Sequence, residues 1–396
     1  MKAQGVDFFS LLCYTKPMDE KETIAPPKAS PWKKTGRRVL AVFALLILFL
    51  VALFFITGTN LSAVGRVFTY RSLGSAAHAD VFSLNAMGAD FALVGDGLSV
   101  ASSAGLTHYN RAGVPVFFEP FAQSSPQIQE SGGRTLTYDL GGTSLQVATA
   151  DAPLRFLEWE SNIYHASLNE NGWVTVSAEQ MGARGMVTVL NGDGNPVFRL
   201  RLTTGHLVGA VLGNDNRTLV VSTLTPAGGQ LAWYAIDQET DTPMHTFLSE
   251  DEVFFAHHFT SGNNLAAISS EHVHFFSQSG QVLHTFPFDG KTLQAFDFDG
   301  GNMLLYLSAT IYSSQGELVR MSSAGRVETI ALDGQVRDIA LSGNFAAVLM
   351  FDRLELLRNM EPYRIWEDTE GMHRVLLRPD GAVFRLGDSR ARLLVP

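Results

Sequence analysis

Residues 253–286 read VFFAHHFTSGNNLAAISSEHVHFFSQSGQVLHTF, and this stretch decides the fold. It holds four short runs rich in Phe, Val and Leu, separated by turns of Gly, Asn and Ser. The runs are residues 253–259, 265–269, 272–276 and 282–286. Apolar runs of this length, bounded by such turns and without a helical period, are typical of β-strands. The stretch therefore predicts four antiparallel strands joined by tight turns.

The same arrangement recurs along the chain, because a short turn rich in Gly, Asn or Asp returns eight times. One glycine from each of these turns is Gly88, Gly132, Gly172, Gly213, Gly262, Gly300, Gly343 and Gly381. Their mean spacing is about 42 residues, the period of four-stranded propeller blades. The sequence therefore predicts an all-β propeller with eight blades, with seven blades as the alternative.

The last repeat is incomplete, since only two strands, at residues 382–386 and 390–395, follow Gly381. A run without a partner, residues 66–70, precedes the first repeat. Pairing the two ends would close the ring and leave few free strand edges. We therefore predict a propeller over residues 66–396 that is closed by the strand 66–70.

An uninterrupted apolar run spans residues 39–56. As a helix it would rise about 27 Å, close to the thickness of the hydrocarbon core of a bilayer. Four cations precede it, at Lys33, Lys34, Arg37 and Arg38, and no charge follows it before residue 64. This asymmetry predicts a single-pass transmembrane helix with a cytoplasmic N-terminus. Residues 1–38 would form a cytoplasmic tail, residues 57–65 a short stalk, and the propeller would lie outside the membrane.

The composition is that of a folded chain, with 46% apolar and 17% charged residues among 396. Beyond residue 38 there are 35 carboxylates and 21 basic residues, and Lys291 is the only lysine. A nucleic-acid surface is therefore not expected. The only cysteine is Cys13, in the predicted tail, so the propeller has no disulfide. This fits a bacterial cell surface better than a secreted eukaryotic scaffold.

The order of apolar strand, Gly/Asn turn, apolar strand and hairpin, as in FFSQSGQV at residues 275–282, resembles WD-repeat and quinoprotein-like propellers. The whole chain, with its basic tail, one anchor and cysteine-free propeller, is similar to an uncharacterised family of bacterial membrane-anchored β-propellers. The blades lack a closing Trp-Asp pair and the repeated docking motif of quinone-dependent dehydrogenases. The resemblance therefore implies a fold but no activity.

Five of the eleven histidines lie in the fifth repeat, among them His272, His274 and His284. The first two share a strand face, and His284 is placed near them on the next strand, so the three are candidate zinc ligands. The sequence nevertheless favours ordinary blade residues and no metal. Further histidines fall on predicted first strands, which line a propeller channel. They indicate either a polar pore or ordinary satisfied core residues, and the second interpretation is favoured. These histidines are His165, His206, His257 or His258, and His373.

No phosphate-binding loop, nucleophile elbow or zinc-protease motif is present, so no catalytic or cofactor-binding residue is assigned. The leading hypothesis is a non-catalytic binding or scaffolding module for a protein or envelope partner. One alternative is a hydrolase or lyase that uses Asp297, Asp299 and channel histidines as acid and base groups. Another is a sensor that signals through the tail. Carboxylates close to a histidine in one pocket would favour the enzyme, and a broad apolar face the scaffold.

Overall fold

The described part of the chain is built entirely of β-strands. The computed structural model describes residues 81–84, 86–238 and 240–396. These residues form 32 strands in eight antiparallel sheets of four strands each. Each sheet is one blade, so the eight-bladed propeller is confirmed and the seven-bladed alternative is wrong.

In blades 1 to 7 strand order follows chain order, from the first strand at the central channel to the fourth at the periphery, and in blade 8 the fourth strand is β1 (Val81–Ser83). The first strands are β2 (Asp90–Val94), β6 (Pro126–Ser131), β10 (Ile163–Leu168), β14 (His206–Leu212), β18 (Ala256–Phe259), β22 (Thr292–Asp299), β26 (Val336–Ser342) and β30 (Arg374–Leu377). The second are β3 (Gly97–Ser102), β7 (Arg134–Asp139), β11 (Val174–Ala178), β15 (Thr218–Thr225), β19 (Leu265–Ile268), β23 (Asn302–Ser308), β27 (Phe345–Met350) and β31 (Val383–Leu386). The third are β4 (Gly105–Tyr109), β8 (Ser144–Thr149), β12 (Gly185–Leu190), β16 (Gly228–Ala235), β20 (His272–Phe276), β24 (Gln315–Ser322), β28 (Leu354–Arg358) and β32 (Arg390–Leu394). The fourth are β5 (Pro115–Pro120), β9 (Pro153–Glu158), β13 (Pro196–Leu202), β17 (His245–Ser249), β21 (Val282–Pro287), β25 (Val327–Asp333), β29 (Glu361–Trp366) and, in blade 8, β1 (Val81–Ser83).

An N-terminal strand closes the ring, as predicted, but it is β1 rather than residues 66–70. β1 pairs antiparallel with β32, with Val81 opposite Arg392. Six residues then lead from β1 to β2, close to the five between β5 and β6, whereas a strand at 66–70 would leave nineteen. Connections of a few residues are the rule between neighbouring elements. Residues 66–70 themselves lie outside the described residues.

The antiparallel order gives the propeller two distinct faces. Turns between first and second strands and between third and fourth strands lie at one end of each blade, which we call the hairpin face. Turns between second and third strands, together with the linkers from one blade to the next, lie at the other end, which we call the linker face.

Seven of the eight glycines that define the repeat lie on the hairpin face, between first and second strands. The exception is Gly88, which lies in the linker before β2, and the corresponding turn of blade 1 contains Gly95. Both glycines have positive φ, 65° and 56°. Glycines with positive φ therefore occur both in linkers and in hairpin turns. For this reason the sequence pattern placed the first turn of the repeat at Gly88 instead of Gly95.

The middle strands of a blade are buried on both sides by the neighbouring blades. All six residues of β3 and all six of β27 are buried, whereas β5 and β9 alternate between exposed and partly buried residues. The core consequently lies between blades rather than within one. One such cluster, between blades 4 and 5, contains Trp233, Phe254 and Phe276.

The predicted membrane helix, residues 39–56, lies outside the described residues, as do the predicted tail and stalk. Among the described residues there is no helix of sufficient length and apolarity to cross a membrane.

Candidate functional site

A carboxylate and two histidines meet on the linker face between blades 4 and 5. His272 and His274 are two residues apart on β20, so the pleat of the strand places both side chains on the same face. Glu252 belongs to the linker that leads from β17 to β18. No local sequence pattern indicates Glu252 as a partner of these histidines, because it lies twenty residues before His272.

The ligating atoms of the three side chains converge. His274 Nε2 lies 2.9 Å from Glu252 Oε2, within hydrogen-bond distance. His272 Nδ1 lies 3.2 Å from Glu252 Oε1, yet this buried nitrogen has no hydrogen-bond partner in the described chain. One nitrogen of each histidine and one carboxylate oxygen lie within 4.8 Å of one another. We call Glu252, His272 and His274 the Glu–His cluster.

Neighbouring residues fix the position of Glu252. Its Oε1 accepts a hydrogen bond from Ser249 Oγ, and its backbone carbonyl accepts one from the Gly229 N–H. A Cβ on Gly229 would lie 2.3 Å from that carbonyl oxygen, so only glycine permits the linker to approach β16 this closely. The side chain of Glu252 is 8% exposed and is therefore well shielded from water.

Neighbouring residues also orient His274. Its Nδ1 lies 3.1 Å from Thr285 Oγ1, and its ring packs against Phe247 and Phe254. Its side chain is 7% exposed, whereas that of His272 is 29% exposed. One side of the cluster thus faces an apolar shell and the other faces solvent.

The electrostatics of the cluster favour an ionised carboxylate beside a neutral ring. Burial lowers the pKa of His274, although the Glu252 carboxylate opposes this effect. Burial alone would raise the pKa of Glu252, but hydrogen bonds with Ser269 and His274 hold it below its usual value. A carboxylate and a neutral imidazole are the protonation states that bind metal ions.

His284 does not join this cluster, contrary to the sequence-based expectation. It is paired with Phe275 in the sheet, whereas Thr285 is paired with His274. Because neighbouring residues on a strand point to opposite faces, His284 lies on the other side of the blade. It is exposed there and lies close to Gly325 of blade 6.

The carboxylates of the channel wall bind the backbone of the next blade. Asp297 Oδ2 accepts a hydrogen bond from the Leu341 N–H at 2.7 Å, and Asp338 Oδ2 accepts one from the Val375 N–H at 2.8 Å. Asp299 Oδ2 similarly accepts the Gly343 N–H. The two aspartates proposed as acid and base groups of an enzyme, Asp297 and Asp299, thus connect blades 6 and 7.

The histidines predicted on first strands have different environments. His165 and His257 are close enough to interact electrostatically, and burial lowers their pKa values to about 4 and about 3. His165 and His257 are half-buried, and His165 Nδ1 and His257 Nε2 have no hydrogen-bond partner among the described residues. His257 lines a cavity of about 230 Å³. His206 and His373 are exposed and therefore are not core residues, contrary to the sequence-based expectation. His373, just before β30, lies 3.9 Å from Asp388.

Burial raises the pKa of Asp297 to about 7 from its ordinary value of 3.8. Between these values the folded chain holds a proton that the unfolded chain releases, so the free energy of unfolding falls as pH rises through this window, by up to about 1.4 kcal/mol per pH unit. We expect Asp297→Asn to remove this dependence, since an amide oxygen still accepts the Leu341 N–H. Urea unfolding of both proteins at about pH 5 and about pH 7.5 measures it. Equal pH dependence in both would contradict the assignment.

The linker face carries most of the exposed apolar side chains found in turns and linkers. Among the described residues of this face, eight large ones are exposed: Met87, Leu140, Met181, Val253, Phe255, Ile311, Tyr312 and Phe351. On the described part of the hairpin face there are two, Val114 and Met244. The turns and linkers of the linker face also contain twelve carboxylates and three basic residues. The surface is therefore both apolar and acidic.

The hairpin face is a polar network instead. Asn169 Nδ2 donates to the Gly213 carbonyl and to Asn216 Oδ1, and the Asn214 N–H donates to Asn263 Oδ1. These bonds join the turns of neighbouring blades. At blades 3, 4 and 5, polar side chains of this face thus help to hold neighbouring blades together.

The family model described as Family of unknown function (DUF5711) matches residues 69–357, and the chain belongs to this family. No curated protein matches the sequence. The C-terminal WD40 domain of Sif2 is similar in structure at 14% identity, with a TM-score of 0.57, over 76% of this chain and 93% of that domain. BamB from Moraxella catarrhalis is similar at 13% identity, with a TM-score of 0.53, over 80% of this chain and 98% of that one. These likenesses agree with the resemblance to WD-repeat and quinoprotein-like propellers.

Proposed function

We propose that this DUF5711 propeller is a membrane-anchored, extracytoplasmic binding or scaffolding module that docks a protein partner on its linker face. The observation that carries the proposal is the unequal distribution of exposed apolar side chains between the two faces. Met181 is 92% exposed and Tyr312 is 82% exposed, although both are apolar enough to favour burial. Exposed apolar side chains grouped on one face are typical of interaction surfaces.

The chemistry of the linker face specifies the kind of partner. Methionine and aromatic residues are enriched in the centres of protein interfaces. The turns and linkers of this face contain twelve carboxylates, of which all but Glu252 are exposed, so a partner with basic residues around an apolar patch would be complementary. Lys291 is one of only three basic residues in the turns and linkers of this face, which disfavours an anionic polymer as the ligand.

The anchor and the location outside the membrane rest on the sequence. Residues 39–56 are long enough and apolar enough to span a bilayer, and the cations precede them. A propeller without cysteine depends on no disulfide and folds in an envelope without oxidative machinery.

Photo-crosslinking in intact cells tests the docking surface. We expect a photo-reactive residue at Met181 or Tyr312 to capture one and the same protein, because both positions are on the linker face. The matched controls are Val114 and Met244, which are 55% and 54% exposed on the hairpin face and should not capture it. In membrane extracts the yield should fall as salt rises, since exposed charges are screened over about 8–10 Å.

A second set of variants defines the contribution of the apolar side chains. Tyr312→Ser with Phe351→Ser should reduce the yield at Met181 about tenfold or more, as expected when interface aromatics are truncated. The same adducts from both faces would contradict the proposal. So would turnover of a hydrolase or lyase substrate that a single channel Asp or His substitution abolishes, with no protein captured.

A further inference from the structure

The Glu–His cluster has the composition of a zinc site with an open position. Two imidazole nitrogens and one carboxylate oxygen form the three-ligand set of many zinc sites, whose fourth position is taken by water or another ligand. We infer that Glu252, His272 and His274 bind one zinc ion on the linker face. This inference does not depend on the identity of the docked partner.

The distances fit a metal ion with little rearrangement. Ligands about 2.0–2.2 Å from a tetrahedral zinc ion lie roughly 3.3 Å from each other. His272 Nδ1 lies 3.2 Å from Glu252 Oε1, and His274 Nε2 lies 2.9 Å from the other carboxylate oxygen, Oε2. One ligating atom from each of the three residues lies within 4.8 Å of the other two. Small movements of the partly exposed His272 would complete the geometry.

A simple hydrogen-bonded triad does not account for His272. Its Nδ1 is buried beside Glu252 Oε1 without a hydrogen bond to it, so a buried polar atom would be left without a partner. Buried polar groups are nearly always satisfied in folded proteins. A metal ion bound to Nδ1 would satisfy it.

The residues around the cluster have the roles of outer-shell partners. When Nε2 of His274 binds a metal, its Nδ1–H can donate to Thr285 Oγ1, which lies 3.1 Å away. Ser249 Oγ donates to Glu252 Oε1 at 3.0 Å. Such partners orient metal ligands, and their loss typically weakens metal affinity 10- to 100-fold. The 29% exposure of His272 leaves the fourth position open to water or to a side chain of a partner.

Zinc titration of the metal-stripped full-length chain tests the inference, in a Cys13→Ser background so that the only thiol cannot supply a ligand. We expect one zinc ion per chain, and at least about 100-fold weaker binding in His272→Ala and in Glu252→Gln. Thr285→Val should weaken binding by about tenfold. The matched control is His284→Ala, which removes an exposed histidine of the same blade and should leave the affinity unchanged.

The visible absorption of bound Co²⁺ reports on metal coordination itself. If His272 had only a structural role, His272→Ala would leave this absorption unchanged. Bound Co²⁺ should show the intense visible absorption of a four- or five-coordinate site in the parent protein and in His284→Ala, and not in His272→Ala. Equal melting temperatures of the metal-free proteins would show that His272→Ala is folded. Absence of stoichiometric zinc binding in the parent protein would overturn the inference, and so would unchanged affinity in His272→Ala.

Discussion

Disrupting β1 is expected to lower the melting temperature of the full-length chain by roughly 5–10 °C and to promote aggregation. The change is Val81→Gly, Phe82→Pro and Ser83→Gly, which keeps the chain length but removes the strand. Without β1 the outer edge of β32 loses its partner, and Ala391 and Arg392 are left on an open sheet edge. Differential scanning calorimetry and light scattering on heating measure the two effects.

The control for this experiment comes from the strand that the sequence predicted. Val67→Gly, Phe68→Pro and Thr69→Gly introduce the same residues at 66–70, and we expect nearly unchanged melting. If the change at 67–69 destabilised the chain and the change at 81–83 did not, the closure by β1 would be wrong. A second contact across the same junction, from Arg378 Nη2 to Asp96 Oδ1 at 2.8 Å, should remain in both variants.

The repeat could be predicted from the sequence because each blade repeats the same local rules. Hairpin turns need residues that accept positive φ, and middle strands need continuous apolar runs because both of their faces are covered. In blade 5 the predicted run 265–269 agrees within one residue with β19, and the run 272–276 coincides with β20. Because these local signals recur eight times, the fold class could be predicted from the sequence.

The closing strand could not be predicted because β1 has only three residues. Residues 66–70 read RVFTY and have the stronger β-propensity of the two segments. The closing strand is nevertheless β1, because its connection to β2 has only six residues. A comparison with the other linkers between blades would have been the useful signal.

The candidate metal ligands could be predicted only in part from the sequence. The period of two placed His272 and His274 together correctly, but it gave no information about Glu252, which lies in the linker between blades 4 and 5. His284 was assigned to the wrong face because a bulge between Phe275 and Phe276 shifts the register of β21. Positions that depend on contacts between blades follow from the ring and not from local sequence patterns.

The two proposed properties belong to the same surface. Val253 and Phe255, which are exposed, follow Glu252 in the same linker. A partner that covers these side chains would also reach the open side of His272. Zinc binding and partner docking are therefore expected to influence one another, and by linkage each would strengthen or weaken the other by the same factor.

Labelling of cysteines in intact cells is expected to give an all-or-none result for topology. Cys13 should resist a membrane-impermeant maleimide, since the proposed orientation places the N-terminus and the cations at Lys33, Lys34, Arg37 and Arg38 in the cytoplasm. Ser279→Cys in a Cys13→Ala background should react, because Ser279 is exposed on a hairpin turn. Both cysteines should react after permeabilisation, which controls for their intrinsic reactivity. Labelling of Cys13 with protection of the cysteine at 279 would show that the orientation is the reverse of the one proposed. Loss of residues 1–56 from the mature chain would show that they form a cleaved signal peptide instead of an anchor.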